Sequence, residues 1–177
     1  TGLLAVALGE ATKTIPYLTN ATKTYHFQIN FGSATDTDDM SGKKIKVSES
    51  RPTTSQLEET LTSFRGDINQ IPPKYSAIKI NGKRAYDLSR NGITDIKFNA
   101  RHLHVEKLEV LERIDADSAI MKMVCGKGGY VRSMARDIGE KLGCFAHACH
   151  IRRISSGPFT LSNSISTEII FKENITK

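Results

Sequence analysis

Residues 118–143 constrain this chain more than any other stretch. The run SAIMKMVC (118–125) reads as a strand, and CGKGG then supplies a turn rich in glycine. From there Val131, Met134, Ala135, Ile138 and Leu142 recur at i, i+3, i+4, i+7 and i+11. That spacing predicts a helix with one face in the core, and Arg132, Arg136 and Lys141 fall off the stripe. A strand feeding such a turn into a helix presents backbone N–H groups and the positive end of a helix dipole, both suited to an anion. Yet GKGG fits neither GxxxxGK[ST] nor GxGxxG, so a mononucleotide loop rests on weak ground. The plain alternative is a turn whose glycines tolerate unusual backbone angles. Neither reading explains Tyr130 followed by Arg132 at the helix start, where a ring and a guanidinium could flank a carboxylate.

The remaining segments fit around this unit. In TYHFQINFG (24–32) strict alternation puts Tyr25, Phe27, Ile29 and Phe31 on one face, the period of a half-buried strand. An acidic turn, TDTDDMSGKK, follows, and KIKVSES is a second short strand candidate. Ser55 and Glu58 suggest a capping box for a helix carrying Leu57, Leu61 and Phe64. Pro72 and Pro73 are expected to end that helix and open a basic insertion, with a tight turn at Asn81-Gly82. Residues 103–111 read as a further strand, parted from 118–125 by the turn DADS, and HIRRISSGPFTL reads as the last. No internal repeat is visible.

A length of 177 residues suits one core, and 25% charged residues with five prolines describe an ordinary globular chain. The net charge is +6 and the pI about 9.3, which favours anionic partners. Two clusters carry most of this excess: Lys74, Lys79, Lys83, Arg84 and Arg90 against Asp87, and seven Lys or Arg in 122–153 against Asp137 and Glu140. Tyr75, Tyr86 and Tyr130 lie among them, and rings interleaved with cations suit unpaired bases on a phosphate backbone. Solvated helix faces with core tyrosines would give the same composition. The run LLAVAL is too short to span a bilayer and lacks a basic flank, so no membrane segment is expected. Three cysteines without framework spacing point to a reducing cytoplasm. CFAHACH offers Cys144, His147, Cys149 and His150 as zinc ligands, but structural sites usually draw on two distant pairs, so no metal is expected.

Five blocks in order carry a resemblance: TGLLAVALGEATK, KTYHFQINFGSATDTDDMSG, FRGDINQIPPKYSAIKINGKRAY, CGKGGYVRSMARDIGEKLG and IRRISSGPF. Together they resemble the TruB-type bacterial tRNA pseudouridine synthases over nearly the whole chain. The resemblance implies an α+β fold, a mostly antiparallel mixed sheet flanked by helices and loops, with the site in a basic cleft. It implies isomerisation of the T-loop uridine 55 of tRNA, without cofactor or metal, in a cytoplasmic monomer. The uracil must be detached, rotated and rejoined through C5, so the base has to be flipped from its stack.

Position by position, Tyr25 resembles the tyrosine that stacks on the flipped base, although its alternation also fits core packing. Tyr130 resembles the tyrosine proposed to help remove the C5 proton, and Arg132 the arginine that pairs with the catalytic carboxylate. Ile151 stands where leucine usually lines the pocket. Lys13 falls in a block near the cleft, or is an ordinary surface lysine. Residues 73–98 resemble an RNA-gripping thumb whose Lys74, Lys79, Lys83 and Arg84, with Lys127 and Arg152 elsewhere, would meet phosphates.

The family's nucleophilic aspartate sits in a block G-x-L-D-P-x-A-[ST]-G, and this sequence starts at the closing Thr-Gly. Asp36, Asp38 and Asp39 belong to another block. The expectation is therefore residues 1–177 as the main part of a catalytic domain, inactive alone, with the aspartate upstream and a PUA-like RNA-binding domain absent. A non-catalytic RNA-binding or tRNA-folding module is the alternative.

Overall fold

The computed structural model describes residues 1–80, 83–90 and 98–169. Six strands form the main sheet in the order β10-β9-β1-β8-β7-β4. They are β1 (Lys23–Phe31), β4 (Gly66–Gln70), β7 (Arg101–Arg113), β8 (Ser118–Cys125), β9 (Ala146–Ser156) and β10 (Phe159–Thr160). Every neighbouring pair is antiparallel. Two short hairpins stand apart, β2 (Ser33–Thr35) with β3 (Lys44–Val47) and β5 (Lys79–Ile80) with β6 (Lys83–Arg84). The helices are α1 (Ile15–Asn20), α2 (Thr54–Thr62), α3 (Ala85–Arg90) and α4 (Val131–Lys141). The expected α+β class with an antiparallel sheet is what forms, and no helix among the described residues is long and apolar enough to cross a membrane.

The alternation in β1 buries Phe27, Ile29 and Phe31 and leaves Tyr25 half-buried at the edge of the same core. α4 lays its stripe on the sheet, with Met134, Ala135 and Ile138 fully enclosed. The helix can approach β9 so closely because residue 139 is glycine: a Cβ there would lie 2.2 Å from the Ala146 nitrogen.

Three expectations change. The capping box of α2 is Thr53 with Gln56, not Ser55 with Glu58: Thr53 Oγ1 accepts from Gln56 N, and Gln56 Oε1 accepts from Thr53 N. That box starts the helix before Ser55, which becomes an ordinary helical residue. The prolines do not end α2 either. It stops at Thr62, and β4 intervenes before Pro72, bound along its length to β7. Finally, β9 begins at Ala146, so most of CFAHACH is strand. There His147 Nδ1 bonds Ser33 O at 3.0 Å, while Cys144 and Cys149 are buried free thiols. The Asn81-Gly82 turn lies outside the described residues.

Candidate active site

β1 enters the sheet between β8 and β9 with Lys23 opposite both Cys125 and Ser156. The start of β1, the turn after β8 and the last part of β9 therefore share one end of the sheet. One group of candidate residues gathers there, and a second extends from the first turn of α4 toward Asp39, which bridges Ala148 opposite Ile29, further along the sheet.

The first surrounds Tyr25. This ring packs against the core and lies opposite Arg153 on β9. Burial pushes its hydroxyl above the ordinary tyrosine range, against a hydrogen bond from Arg153. Arg153 is in turn fixed, its Nε donating to Leu3 O at 2.7 Å. Ile151 is half-buried on the same strand, and its carbonyl accepts from the Thr1 nitrogen at 2.9 Å. Next to this lies a hollow of about 360 Å³ whose lining includes Lys23, Lys127, Arg153 and Ser156 and no carboxylate. Burial lowers the Lys23 pKa, and the charges of Arg153 and Lys127 add to that. Positive charge collected without a neutralising acid favours an anion.

The second group surrounds the first turn of α4. Tyr130 is its N-cap residue, and both of its backbone groups are held by Gln70: Tyr130 N donates to Gln70 Oε1 at 2.8 Å and Gln70 Nε2 donates to Tyr130 O at 3.1 Å. Arg132 Nη2 donates to Tyr75 O at 2.8 Å, while Nη1 reaches Thr37 O and Asp39 Oδ2, each at 3.4 Å. Burial opposes the charge on Asp39, but hydrogen bonds from Ser41 and Thr37 prevail and hold its pKa below the ordinary range. Asp39 is thus an ionised partner for Arg132, and it comes from the acidic turn that the sequence reading set aside. The Arg132 Nε–H makes no bond among the described residues and is free for a further acceptor.

Other candidates are spread out. Lys13 is largely exposed and pairs with Glu10. Lys127 and Arg152 are exposed, Lys127 donating to Asn20 Oδ1 at 3.2 Å. Lys74 is exposed, and Arg84 bonds the Tyr86 hydroxyl at 3.1 Å and sits over its ring. The backbones of Lys79 and Lys83 form the β5–β6 hairpin, but their side chains lie outside the described residues, as does 91–97 of the 73–98 segment. Among the described residues no hydrogen bond or ion pair joins Tyr25 to Tyr130 or Arg132.

Sequence reasoning missed Gln70 and Arg153, named Tyr75 only for its ring, and set Asp39 aside with its turn. Tyr75 acts through a carbonyl, which no side-chain pattern reveals. Gln70 offered a faint signal, as the last polar residue of DINQ before two prolines.

The sequence of the TruB family pseudouridylate synthase N-terminal domain matches residues 1–131, and that of the tRNA pseudouridylate synthase B C-terminal domain matches 132–174. The chain belongs to the TruB family. Among its relatives, a tRNA pseudouridine synthase B of Cereibacter sphaeroides is 55% identical over 96% of this chain, and one of Paracoccus denitrificans is 51% identical over 98%. This TruB-family chain covers 56% and 58% of those two proteins. Its fold is also that of a solved Cbf5–Nop10–Gar1 complex, at a TM-score of 0.65 and 24% identity, covering 99% of this chain and 45% of that one. An H/ACA ribonucleoprotein bound to a substrate RNA aligns at 0.60 and 21%, covering 97% and 42%.

Proposed function

We propose that this chain is the main body of the catalytic domain of a tRNA pseudouridine synthase that isomerises the T-loop uridine 55. The observation that carries the reading is a relative of that name at 55% identity across 96% of the chain, with Tyr25, Tyr130 and Arg132 in their motifs. The geometry supports it, because a half-buried ring lies beside a cationic hollow and an arginine anchored to two loops stands in the first turn of the helix that follows β8. A single-stranded base needs those parts: a ring to replace lost stacking and cations for the backbone.

In this reading the N1–C1′ bond of uridine breaks, the ring turns, and C5 bonds to C1′ while the C5 proton leaves and N1 gains one. Tyr25 stacks on the extruded uracil, and its raised hydroxyl pKa keeps it neutral beside Arg153. Ile151 supplies an apolar wall. Arg132, levelled by Tyr75 and Asp39, holds the nucleophilic carboxylate with its Nε–H. That aspartate would come from a segment preceding Thr1, whose nitrogen already sits at Ile151. Tyr130 assists loss of the C5 proton. Lys13, Lys127 and Arg152, with the Lys74, Lys79, Lys83 and Arg84 segment at 73–98 acting as a thumb, contact phosphates of the tRNA T arm. The protein works as a cytoplasmic monomer without metal or organic cofactor.

The test is release of tritium from a T-arm transcript labelled at uridine C5, using the full-length protein. Release is expected, and Arg132→Ala should lower turnover by about 100-fold or more with little loss of RNA affinity. No release by the wild type would overturn the reading, and unchanged turnover in Arg132→Ala would remove that residue from its role.

A further inference from the structure

One turn beyond Arg132, α4 carries a second guanidinium that the reading above leaves unused. The Arg136 side chain is only 18% exposed. Its Nη1 donates to Asp38 Oδ2 at 2.9 Å, its Nη2 to Ile71 O at 2.8 Å, and its Nε to Asp137 Oδ1 at 2.9 Å. Arg132 grips the same two loops, through Thr37 and Asp39 in one and Tyr75 in the other. Residues i and i+4 share a helix face, so the two guanidinium groups act as rungs between α4 and both loops.

The lower rung is the firmer one. Arg132 reaches residues 37–39 only through two contacts of 3.4 Å, whereas Arg136 meets Asp38 at 2.9 Å. Asp38 is otherwise pinned by its backbone, because Ala148 N donates to Asp38 O at 3.0 Å. It holds φ at +60°, a left-handed conformation that needs surrounding contacts to persist in a residue with a Cβ. On the other loop, Ile71 directly follows Gln70, the residue that clamps Tyr130. Freeing Arg136 would loosen both loops at the points nearest Arg132 and Tyr130.

We infer that Arg136 is a positioning residue: through Asp38 and the Ile71 carbonyl it sets the height of both loops, and with it the aim of Arg132 at the reacting carboxylate. The inference rests on the synthase reading for its catalytic consequence. It makes Arg136 irreplaceable by lysine, since an ammonium keeps the charge but lacks the planar fork that spans three acceptors.

The experiment compares full-length wild type, Arg136→Lys, Asp38→Asn and Leu61→Ala, the last a truncation of a buried α2 residue that belongs to neither loop. Steady-state kinetics on the T-arm transcript are measured where each variant is folded by circular dichroism, together with the amide-region NMR signal of Arg132 Nε–H. Arg136→Lys and Asp38→Asn should lower kcat by about 10- to 100-fold with KM nearly unchanged. The Arg132 Nε–H signal should shift or broaden in both and stay put in Leu61→Ala. Unchanged kcat in both loop variants would overturn the inference, as would a loss that Leu61→Ala reproduces. If the wild type makes no pseudouridine, the synthase reading fails by itself, and an undisturbed Arg132 signal in both loop variants still overturns the positioning role.

Discussion

Gln70 is almost fully enclosed, and its amide is matched to the two backbone groups of Tyr130. A buried donor or acceptor left without a partner costs about 1–3 kcal/mol, so Gln70→Leu should lose that much stability in urea unfolding. Burial also raises the pKa of Asp38 despite the Arg136 ion pair. A carboxyl whose folded pKa lies above its unfolded value of 3.8 favours the fold at low pH and loses that contribution as pH rises. The stability of wild type relative to Asp38→Asn should therefore fall as pH climbs from 3.8, which unfolding curves at several pH values will check. Cys125, pushed by burial to about 11, carries on the order of one thiolate in a thousand at pH 8, so all three buried thiols should resist a disulfide reagent until the protein unfolds. At this scale the sequence displayed Tyr25, Tyr130 and Arg132 because motifs name side chains. It concealed Tyr75, which contributes a carbonyl, and Asp39, whose meeting with Arg132 depends on how a turn folds back over α4.

Among the elements, α4 sets the tolerance of the molecule. Alanine is a better helix former than glycine by about 1 kcal/mol. At Gly139 the added methyl would sit 2.2 Å from backbone at Ala146, and backbone cannot swing aside as a side chain can. Gly139→Ala should therefore destabilise the protein strongly, with a lowered melting temperature as the measure. At the start of α2, Thr53→Ala removes one half of the observed capping box and should cost about 1 kcal/mol. The long elements β1, β7, β8 and α4 were legible because period two and period 3.6 persist through each. β4 was not: DINQ is short, polar at three of its four residues, and bound as an edge strand whose exposed side carries Asp67 and Asn69. The α2 box was misplaced because Ser55 and Glu58 satisfy the same pattern as Thr53 and Gln56, and only backbone geometry chooses between them.

For the whole molecule, the surplus of cations makes a physical demand. If nucleic acid fills the hollow between Lys23, Lys127 and Arg153, binding should release counterions, and affinity for a T-arm transcript should fall steeply and linearly on a log–log plot of salt. A salt-independent affinity would point to a different occupant. The order of strands carries another consequence. β1, begun at residue 23, lies between β8 and β9, whose last residues are 125 and 156. A ribosome must thus thread out well over a hundred further amino acids before that early apolar ribbon can pair on both sides, an arrangement associated with slow folding. Newly made copies would spend that interval with Phe27, Ile29 and Phe31 uncovered, and so in want of a chaperone.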